Sequence, residues 1–228
     1  MDPKQRAAEA ALDYVRSDTV IGLGTGSTFD FFLPALAEAL KSGRFRNVAG
    51  VPTSDRTAER AKELGIPIRS LVQIDRLDVA IDGADEITPE LDLIKGLGGA
   101  LLREKIVAQH AWSLIIVADA SKRVARLGTR SPLPVEVVPF EHEAHARFLA
   151  TLGCEPVLRR AADGSPFRTD NGNLLYDCHF PHGIDNPRRI ERALHAYAGV
   201  IESGLFLRLA KVALIGEPDG VQTLTATH

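Results

Sequence analysis

Apolar runs of four to six residues alternate with segments of helical periodicity through the first half of the chain. Runs of this length, rich in Val and Ile, are typical of strands that are covered on both faces. Their alternation with helices predicts a mainly parallel sheet with right-handed crossovers. The predicted strands are 20–23, 48–51, 77–81 and 113–118, with a strand or extended segment at 66–71, and the predicted helices are 3–15, 29–40, 57–64 and 101–111.

The pattern changes from about residue 131, where prolines punctuate the chain. A strand at 135–138, a helix at 141–152, a strand at 155–159, a hairpin turning at Asn171-Gly172 and a helix from Asn186-Pro187 to about 203–204 follow. A strand at 212–215 would return the chain to the large sheet. We therefore predict an α/β, Rossmann-like, mainly parallel sheet with helices on both faces, formed by 1–130 and 205–228. A small α+β, ferredoxin-like domain of residues 131–204 is inserted into it.

The predicted strand at 77–81 ends in an acidic turn, Asp82-Gly83-Ala84-Asp85-Glu86. Open α/β sheets bind ligands beyond the carboxyl ends of their strands, so Asp82 and Asp85 lie where a polar small molecule is expected. The turn alone leaves two alternatives open, which are a solvated acidic turn and a carboxylate-bound Mg²⁺.

A lysine and a glycine-rich loop, Lys95 to Gly99, precede the helix predicted at 101–111. Glycines let the backbone approach a ligand closely, and N–H groups at a helix start attract an oxyanion or a phosphate. Glu104 falls on the apolar stripe of that helix. It is a candidate general base, because desolvation raises the pKa of a carboxyl group toward neutrality. The alternative is an ordinary helix glutamate paired with a lysine or arginine.

The segment from Gly22 to Thr28, GLGTGST, joins a predicted strand to a predicted helix. Hydroxyls of Thr25, Ser27 and Thr28 beside the N–H groups of the helix suit a single phosphate or a sugar. A dinucleotide fingerprint is disfavoured, because Ser27 takes the third glycine position and the next strand ends in Pro52-Thr53-Ser54 rather than in an acid. A plain N-capping loop explains Ser27 or Thr28 but not the three glycines with them.

The strand predicted at 113–118 also ends in polar residues, and these include Lys122. The parallel arrangement carries Lys122 to the same sheet edge as Thr25, Asp82 and Lys95. By itself Lys122 fits a solvated loop lysine. The convergence of four such strand ends favours a ligand site.

The amino-acid composition argues against several classes of binding partner. The chain has 228 residues, of which 45% are hydrophobic and 25% charged, as in ordinary globular proteins. The net charge is -3 and there is no basic run, so we expect no nucleic-acid partner. The sequence shows no long apolar span and no secretory segment, so we expect no membrane partner. Cys154 and Cys178 are too few for a disulfide framework, and the histidines show no ligand spacing. We expect a cytoplasmic protein without a metal site.

Taken together, the motifs resemble ribose-5-phosphate isomerases of the type A family in their identity, order and spacing. The resemblance extends over nearly the whole chain. The motifs are GLGTGST at 22–28, TSDRT at 53–57, DGADE at 82–86, KGLGGALLREKIVA at 95–108, ADASK at 118–122, TDNGN at 169–173 and PDGV at 218–221.

The resemblance implies reversible conversion of D-ribose 5-phosphate into D-ribulose 5-phosphate through an enediolate, without metal or organic cofactor. It implies that Glu104 is the base, that Lys95 stabilises the anion, and that Asp82 and Asp85 hold hydroxyls and move protons. It also implies a homodimer or a homotetramer. The positions that it assigns to the substrate are Thr25, Gly26, Ser27, Thr28, Gly83, Ala84, Gly96, Leu97, Gly98, Lys122 and Lys4.

Two other functions compete with this one. A sugar-phosphate-sensing domain without catalysis is the first, although no DNA-reading segment is evident and a sensor does not need Glu104. The second is a metal-assisted reaction at Asp82, Asp85 and Glu86, which a chelator would abolish.

Leu97 departs from the family pattern, which commonly reads KGGG, because it replaces the middle glycine. If this position requires a positive φ, leucine costs on the order of 1–2 kcal/mol of strain. The sequence therefore predicts a strained or displaced loop.

Overall fold

A computed structural model of the chain describes residues 1–226, so the last two residues of the predicted range 205–228 lie outside the described residues. The chain folds into two compact units. The first unit comprises Met1–Ala84, Arg103–Lys122 and the chain from Arg208 onward, and the second comprises Asp85–Leu102 and Arg123–Leu207.

The helices and strands follow one another in an α/β order in the first half of the chain. The helices are α1 (Pro3–Ala10), α2 (Phe29–Lys41), α3 (Asp55–Glu63), α4 (Leu101–Gln109), α5 (His142–Ala150) and α6 (Pro187–His195). The strands are β1 (Val20–Leu23), β2 (Ala49–Pro52), β3 (Val79–Asp82), β4 (Glu86–Ile87), β5 (Leu93–Ile94), β6 (Leu114–Asp119), β7 (Leu133–Val137), β8 (Glu155–Leu158), β9 (Leu174–His179), β10 (Val200–Ser203), β11 (Leu205–Phe206), β12 (Ala210–Gly216) and β13 (Val221–Thr225). Short 3₁₀ turns lie at Ala11–Tyr14, Leu71–Gln73 and Ala120–Lys122.

The first unit is built on a six-stranded sheet with the order β13-β12-β6-β3-β1-β2. All neighbouring strands run parallel except β13, which is antiparallel to β12. This sheet confirms the prediction of a mainly parallel α/β fold. Because β1, β3 and β6 run in the same direction, the loops after Leu23, Asp82 and Asp119 leave the sheet at the same edge.

The core of the first unit explains why α2 forms where it does. Phe29, Phe32, Leu33 and Leu36 recur at helical spacing, and all four are buried in one apolar cluster with strand residues such as Ile21. The rings of Phe29 and Phe32 pack with centroids 5.2 Å apart. This packing anchors the helix that follows the Gly22–Thr28 loop.

The second unit contains a four-stranded antiparallel sheet with the order β10-β7-β9-β8. With α5 and α6 between its strands, it has the β-α-β-β-α-β sequence of a ferredoxin-like fold, as predicted. Its core also holds both cysteines. A hydrogen bond with the Cys154 thiol, together with burial, raises the pKa of Cys178 well above its usual range. The same hydrogen bond lowers the pKa of Cys154, and both thiols are buried.

Several elements differ from the predictions. The last helix ends at His195 rather than near 203–204, and residues 200–203 form β10 instead, paired with β7. Gly199 separates the two with φ +96, a left-handed conformation that ends a helical path, and β-branched residues follow it. Ile68 in the segment 66–71 makes only an isolated bridge to Gly50.

Two small features were not predicted at all. The strand β13 forms a hairpin with β12, and β4, β5 and β11 form a three-stranded sheet in the second unit. Strands of two residues carry too few side chains to show a period in the sequence. Within residues 1–226, no helix is long and apolar enough to cross a membrane.

Candidate active site

The loop after β1 is packed directly on Asp82 at the end of β3. The Thr25 N–H donates to Asp82 Oδ1 at 3.0 Å, and the Gly24 N–H donates to the Ile81 carbonyl at 2.9 Å. A Cβ atom on Gly24 would overlap the Asp82 carboxyl group. Glycine is therefore required at position 24 by this close approach.

Asp82 is a buried carboxylate with one of its oxygens held in place. Its Oδ1 accepts the Thr25 N–H and also the Gly83 N–H, the latter at 2.7 Å, and the side chain is 3% exposed. Hydrogen bonds from two amides fix the orientation of this carboxyl group.

The Thr25 hydroxyl lies inside a cluster of hydroxyls from the TSDRT segment. Its Oγ1 is 2.8 Å from the Thr53 and Ser54 oxygens and 3.0 Å from Thr57 Oγ1. Thr57 in turn donates to the Gly24 carbonyl at 2.9 Å. The sequence indicated this segment only through the family resemblance, and the structure shows that it supports the loop after β1.

Two lysines gather near the same loop. Lys4 Nζ lies 3.1 Å from Ser27 Oγ, although the residues are 23 positions apart. Partial burial opposes ionisation of Asp119, but hydrogen bonds from Ser121 and the charges of Lys4 and Lys122 hold its pKa below the usual value. Lys4, Ser27, Asp119 and Lys122 therefore lie at one edge of the sheet. Asp119 was not predicted as a site residue.

The other predicted substrate positions of the first unit belong to the loops after β1 and β3. Gly26 has φ +131 with open space where a Cβ atom would stand, and Thr28 is buried at the start of α2. Ala84 is half-buried beside the buried Gly83. Gly26 keeps the loop after β1 open and accessible at this point.

Glu104 lies in the first turn of α4 and is only 4% exposed. Its helical spacing placed it on an apolar stripe, and its burial agrees with that prediction. Its neighbour Arg103 is directed instead to an ion pair with Asp55, at 2.7 Å. Glu104 is thus a carboxylate with little access to bulk water.

In the second unit, Asp85 and Lys95 are both tied to the main chain. Asp85 Oδ2 accepts the Leu97 N–H at 3.0 Å, and the Lys95 N–H donates to the Gly204 carbonyl at 2.9 Å. The Lys95 side chain is 2% exposed, with its ammonium 5.5 Å from the centroid of the Phe206 ring. Within this unit, Asp85 and the Lys95–Gly99 loop form one hydrogen-bonded group.

The expectation of strain at Leu97 is wrong. Gly96 and Gly99 have φ values of +99 and +86, whereas Leu97 is not among the residues with positive φ. The left-handed positions are occupied by glycine on both sides of Leu97, and the leucine side chain is exposed. A leucine therefore fits this loop without the predicted cost.

The Glu86 carboxylate, which the metal hypothesis counts as a ligand, is already bound by main-chain amides. Glu86 is fully buried, and its carboxylate accepts N–H groups of Gly128, Arg130 and Ser131 at 2.6, 2.6 and 2.7 Å. These bonds occupy the oxygens that a cation would need. Across residues 1–226, no group of three or more His, Cys, Asp or Glu side chains is placed to hold a metal ion.

Buried carboxylates, a hydroxyl-bearing loop and two lysines near one edge of a parallel sheet are typical of α/β enzymes that act on small anionic substrates. Residues 49–220 match the family model of ribose 5-phosphate isomerase A (phosphoriboisomerase A). The chain therefore belongs to the ribose 5-phosphate isomerase A family.

Individual relatives cover almost the whole chain. The ribose-5-phosphate isomerase A of Roseiflexus castenholzii is 56% identical over 97% of this chain and 94% of its own. That of Bacillus mycoides is 48% identical over 97% and 99%. A solved D-ribose-5-phosphate isomerase in complex with phospho-erythronic acid superposes with a TM-score of 0.95 at 42% identity, covering 99% of this chain and 100% of its own. The ribose 5-phosphate isomerase of Plasmodium falciparum gives 0.94 at 38% identity, covering 99% of each chain.

Proposed function

We propose that the protein interconverts D-ribose 5-phosphate and D-ribulose 5-phosphate, an aldose–ketose isomerisation of the pentose phosphate pathway. The observation that carries this proposal is membership of the isomerase family over almost the full length of the chain. The buried carboxylates and the lysine pair fit the reaction, which moves protons on a phosphorylated sugar. The alternative of a sensor without catalysis gains no support, since the relatives named above are isomerases.

Glu104 is proposed as the base. In the open-chain aldose its carboxylate removes the proton from C2. The C2–H electrons form the C1–C2 double bond while the π electrons of the C1 carbonyl move to O1, which gives an enediolate. The same group then returns the proton to C1, which yields the ketose. The support for this role is the family pattern at Glu104 together with the burial of its side chain, which is 4% exposed.

The enediolate is an anion, and the proposed partners of its charge are Lys95 and the N–H groups of the Gly96–Gly98 segment. Asp82 and Asp85 are proposed to hold the hydroxyls at C1 and C2 and to carry a proton between the two oxygens. One of these aspartates also assists opening of the sugar ring. The support for these roles is the family pattern together with the amide bonds that orient each aspartate.

The phosphate group is assigned to the edge that carries Lys4, Ser27 and Lys122. Two ammonium groups and a hydroxyl beside the start of α2 suit a dianion. Phospho-erythronic acid, which is bound in the solved relative, combines a phosphate with a carboxylate that resembles an enediolate. The remaining proposed substrate contacts are Thr25, Gly26, Thr28, Gly83, Ala84, Gly96, Leu97 and Gly98.

We also propose a cytoplasmic enzyme that assembles as a homodimer or a homotetramer. Both cysteines are free and buried, which is typical of proteins in reducing compartments. The support for assembly is the family resemblance, and multi-angle light scattering of the purified protein measures it directly.

The first experiment measures formation of ribulose 5-phosphate from ribose 5-phosphate by purified protein, with and without excess EDTA. We expect turnover that is unaffected by the chelator. Loss of turnover in EDTA, restored by Mg²⁺, would instead establish a metal-assisted reaction. No turnover, with ribose 5-phosphate still raising the melting temperature, would favour a sensor.

Replacement of Lys122 by alanine should raise KM about 10-fold with little change in kcat, because a phosphate contact remote from the reacting carbons binds ground and transition states alike. Initial rates over a range of ribose 5-phosphate concentrations measure both constants. Lys62→Ala removes an exposed lysine of α3 and serves as the control. An unchanged KM in Lys122→Ala would remove this lysine from the phosphate site.

A further inference from the structure

The Lys95–Gly99 loop is held by a side chain that lies far from it in the sequence. Arg159, directly after β8, donates through Nη1 to the Gly96 carbonyl at 3.2 Å and to the Leu97 carbonyl at 3.0 Å. The separations along the chain are 63 and 62 residues. Consecutive carbonyls of the loop thus share one donor.

The same guanidinium is fixed on its other side by Asp177 of β9. Arg159 Nε and Nη2 donate to the two carboxylate oxygens at 2.9 and 2.5 Å, which is the bidentate fork that arginine forms with a carboxylate. The side chains are only 14% and 18% exposed. Since Asp177 belongs to the antiparallel sheet, the fork connects the loop to a rigid element.

The direction of these bonds determines where the loop amides point. A trans peptide unit directs its C=O and its N–H to opposite sides. The unit whose carbonyl belongs to Gly96 carries the Leu97 N–H, which points away from Arg159 and donates to Asp85 Oδ2 at 3.0 Å. The unit whose carbonyl belongs to Leu97 carries the Gly98 N–H, which is likewise directed away from Arg159, at an exposed residue.

The turn itself leaves little freedom for other arrangements. The Gly99 N–H closes the loop on the Gly96 carbonyl at 3.0 Å, and a Cβ atom on Gly99 would come within 2.7 Å of Phe167 Cζ. The Arg159 guanidinium lies 5.8 Å from the centroid of that same ring. Removal of the fork would therefore leave the Leu97 carbonyl without its Arg159 donor, whereas the Gly96 carbonyl would keep the bond from the Gly99 N–H.

We propose that Arg159, held by Asp177, is a positioning residue of the isomerase that aims the amide groups of Leu97 and Gly98 and thereby orients Asp85. This role rests on the function proposed above, in which the loop stabilises the enediolate. Arg159 acts through the main chain and has no assigned contact with the substrate.

The test is Arg159→Lys, which keeps the positive charge but cannot form the fork. We expect kcat to fall roughly 10- to 100-fold, since displacement of a catalytic group by about 1 Å costs rates of this order. We expect KM for ribose 5-phosphate to change less than about threefold, because the phosphate contacts remain. Affinity for phospho-erythronic acid should fall by the same factor as kcat/KM, as for an analogue of the intermediate.

Arg126→Lys is the matched control, because Arg126 forms an exposed ion pair with Asp185 in the same unit, at 2.6 Å. It should leave kcat, KM and inhibitor affinity unchanged. If Arg159→Lys does not fold, Asp177→Asn keeps the guanidinium and an acceptor oxygen, and it should show the same pattern with a smaller loss of kcat.

A purely structural role would give another result, which is a lower melting temperature with wild-type kcat per folded molecule and unchanged affinity for phospho-erythronic acid. That outcome would overturn the positioning role while the wild-type protein still isomerises ribose 5-phosphate. A wild-type protein without isomerase activity would instead contradict the proposed function, and with it this role. The wild-type assay therefore separates the two failures.

Discussion

Replacement of Glu104 by glutamine should lower kcat by roughly 10²–10⁴-fold, the usual contribution of a general base. The glutamine amide has nearly the size of the carboxylate, so the buried position on the apolar stripe of α4 stays filled. The amide cannot accept the C2 proton. KM should change little, since the phosphate contacts are untouched. Steady-state kinetics measures the loss. Exchange of the C2 proton with solvent deuterium, followed by NMR, should slow in parallel.

Two further variants make this result specific. Glu63→Gln changes an exposed glutamate paired with Arg60 on α3, and it should behave as wild type. Glu104→Asp keeps a carboxylate but withdraws it by one methylene, so it should retain more activity than the glutamine variant. Near-normal turnover by a folded Glu104→Gln protein would remove Glu104 from the mechanism.

Replacement of Asp82 by asparagine should lower kcat by at least about 10²-fold, because proton transfer by a positioned carboxylate contributes 10²–10⁴-fold. Both amide bonds of this side chain go to Oδ1, and asparagine can present an oxygen at the same place. The loop after β1 should therefore keep its position while the ionisable group is lost. Kinetics together with urea unfolding separates loss of chemistry from loss of stability.

The control for this variant lies at the opposite end of the same strand. Asp78 is exposed, and its Oδ2 accepts the Val20 N–H at 3.3 Å, so its carboxylate also contacts the backbone of β1. Asp78→Asn should leave kcat unchanged. Wild-type kcat in Asp82→Asn, with an intact fold, would show that the carboxylate charge at this position does no chemistry.

The local patterns were sufficient for the parallel strands of the sheet that carries the candidate site. Buried strands appear in the sequence as apolar runs, and β1, β3 and β6 lie within two residues of the predicted ranges. Thr25, Asp82 and Lys122 could then be placed at one edge by the parallel topology alone, whereas Lys95 follows β5 of the three-stranded sheet instead. Burial of Glu104 followed from helical spacing in the same way.

Features that depend on distant parts of the chain could not be predicted. The end of α6 is one case, because Ala196 and Tyr197 suit a helix, whereas a Cβ atom on Gly199 would overlap the ring of His145, more than 50 positions away. The Arg159–Asp177 fork is another, since no periodicity relates these residues to each other or to the Lys95–Gly99 loop. Long-range side-chain pairs leave no local pattern in a single sequence.

The role of Glu86 illustrates a third difficulty, which is that a residue type does not reveal its partners. In the sequence it extends an acidic cluster and suggests a cation. In the structure its carboxylate instead accepts the amide groups of residues 128–131, more than 40 positions away. The strain expected at Leu97 failed for a related reason, because the sequence does not show which residues of the loop have positive φ.

The outward-facing leucine of the Lys95–Gly99 loop has an evolutionary consequence. The donors proposed at Leu97 and Gly98 are main-chain N–H groups, which every amino acid except proline supplies. Codon changes at position 97 can therefore accumulate without deleting the donor, provided that the flanking glycines keep the backbone in place. Selection on this loop should therefore conserve the glycines that shape the backbone, whereas the side chain at position 97 can vary among relatives.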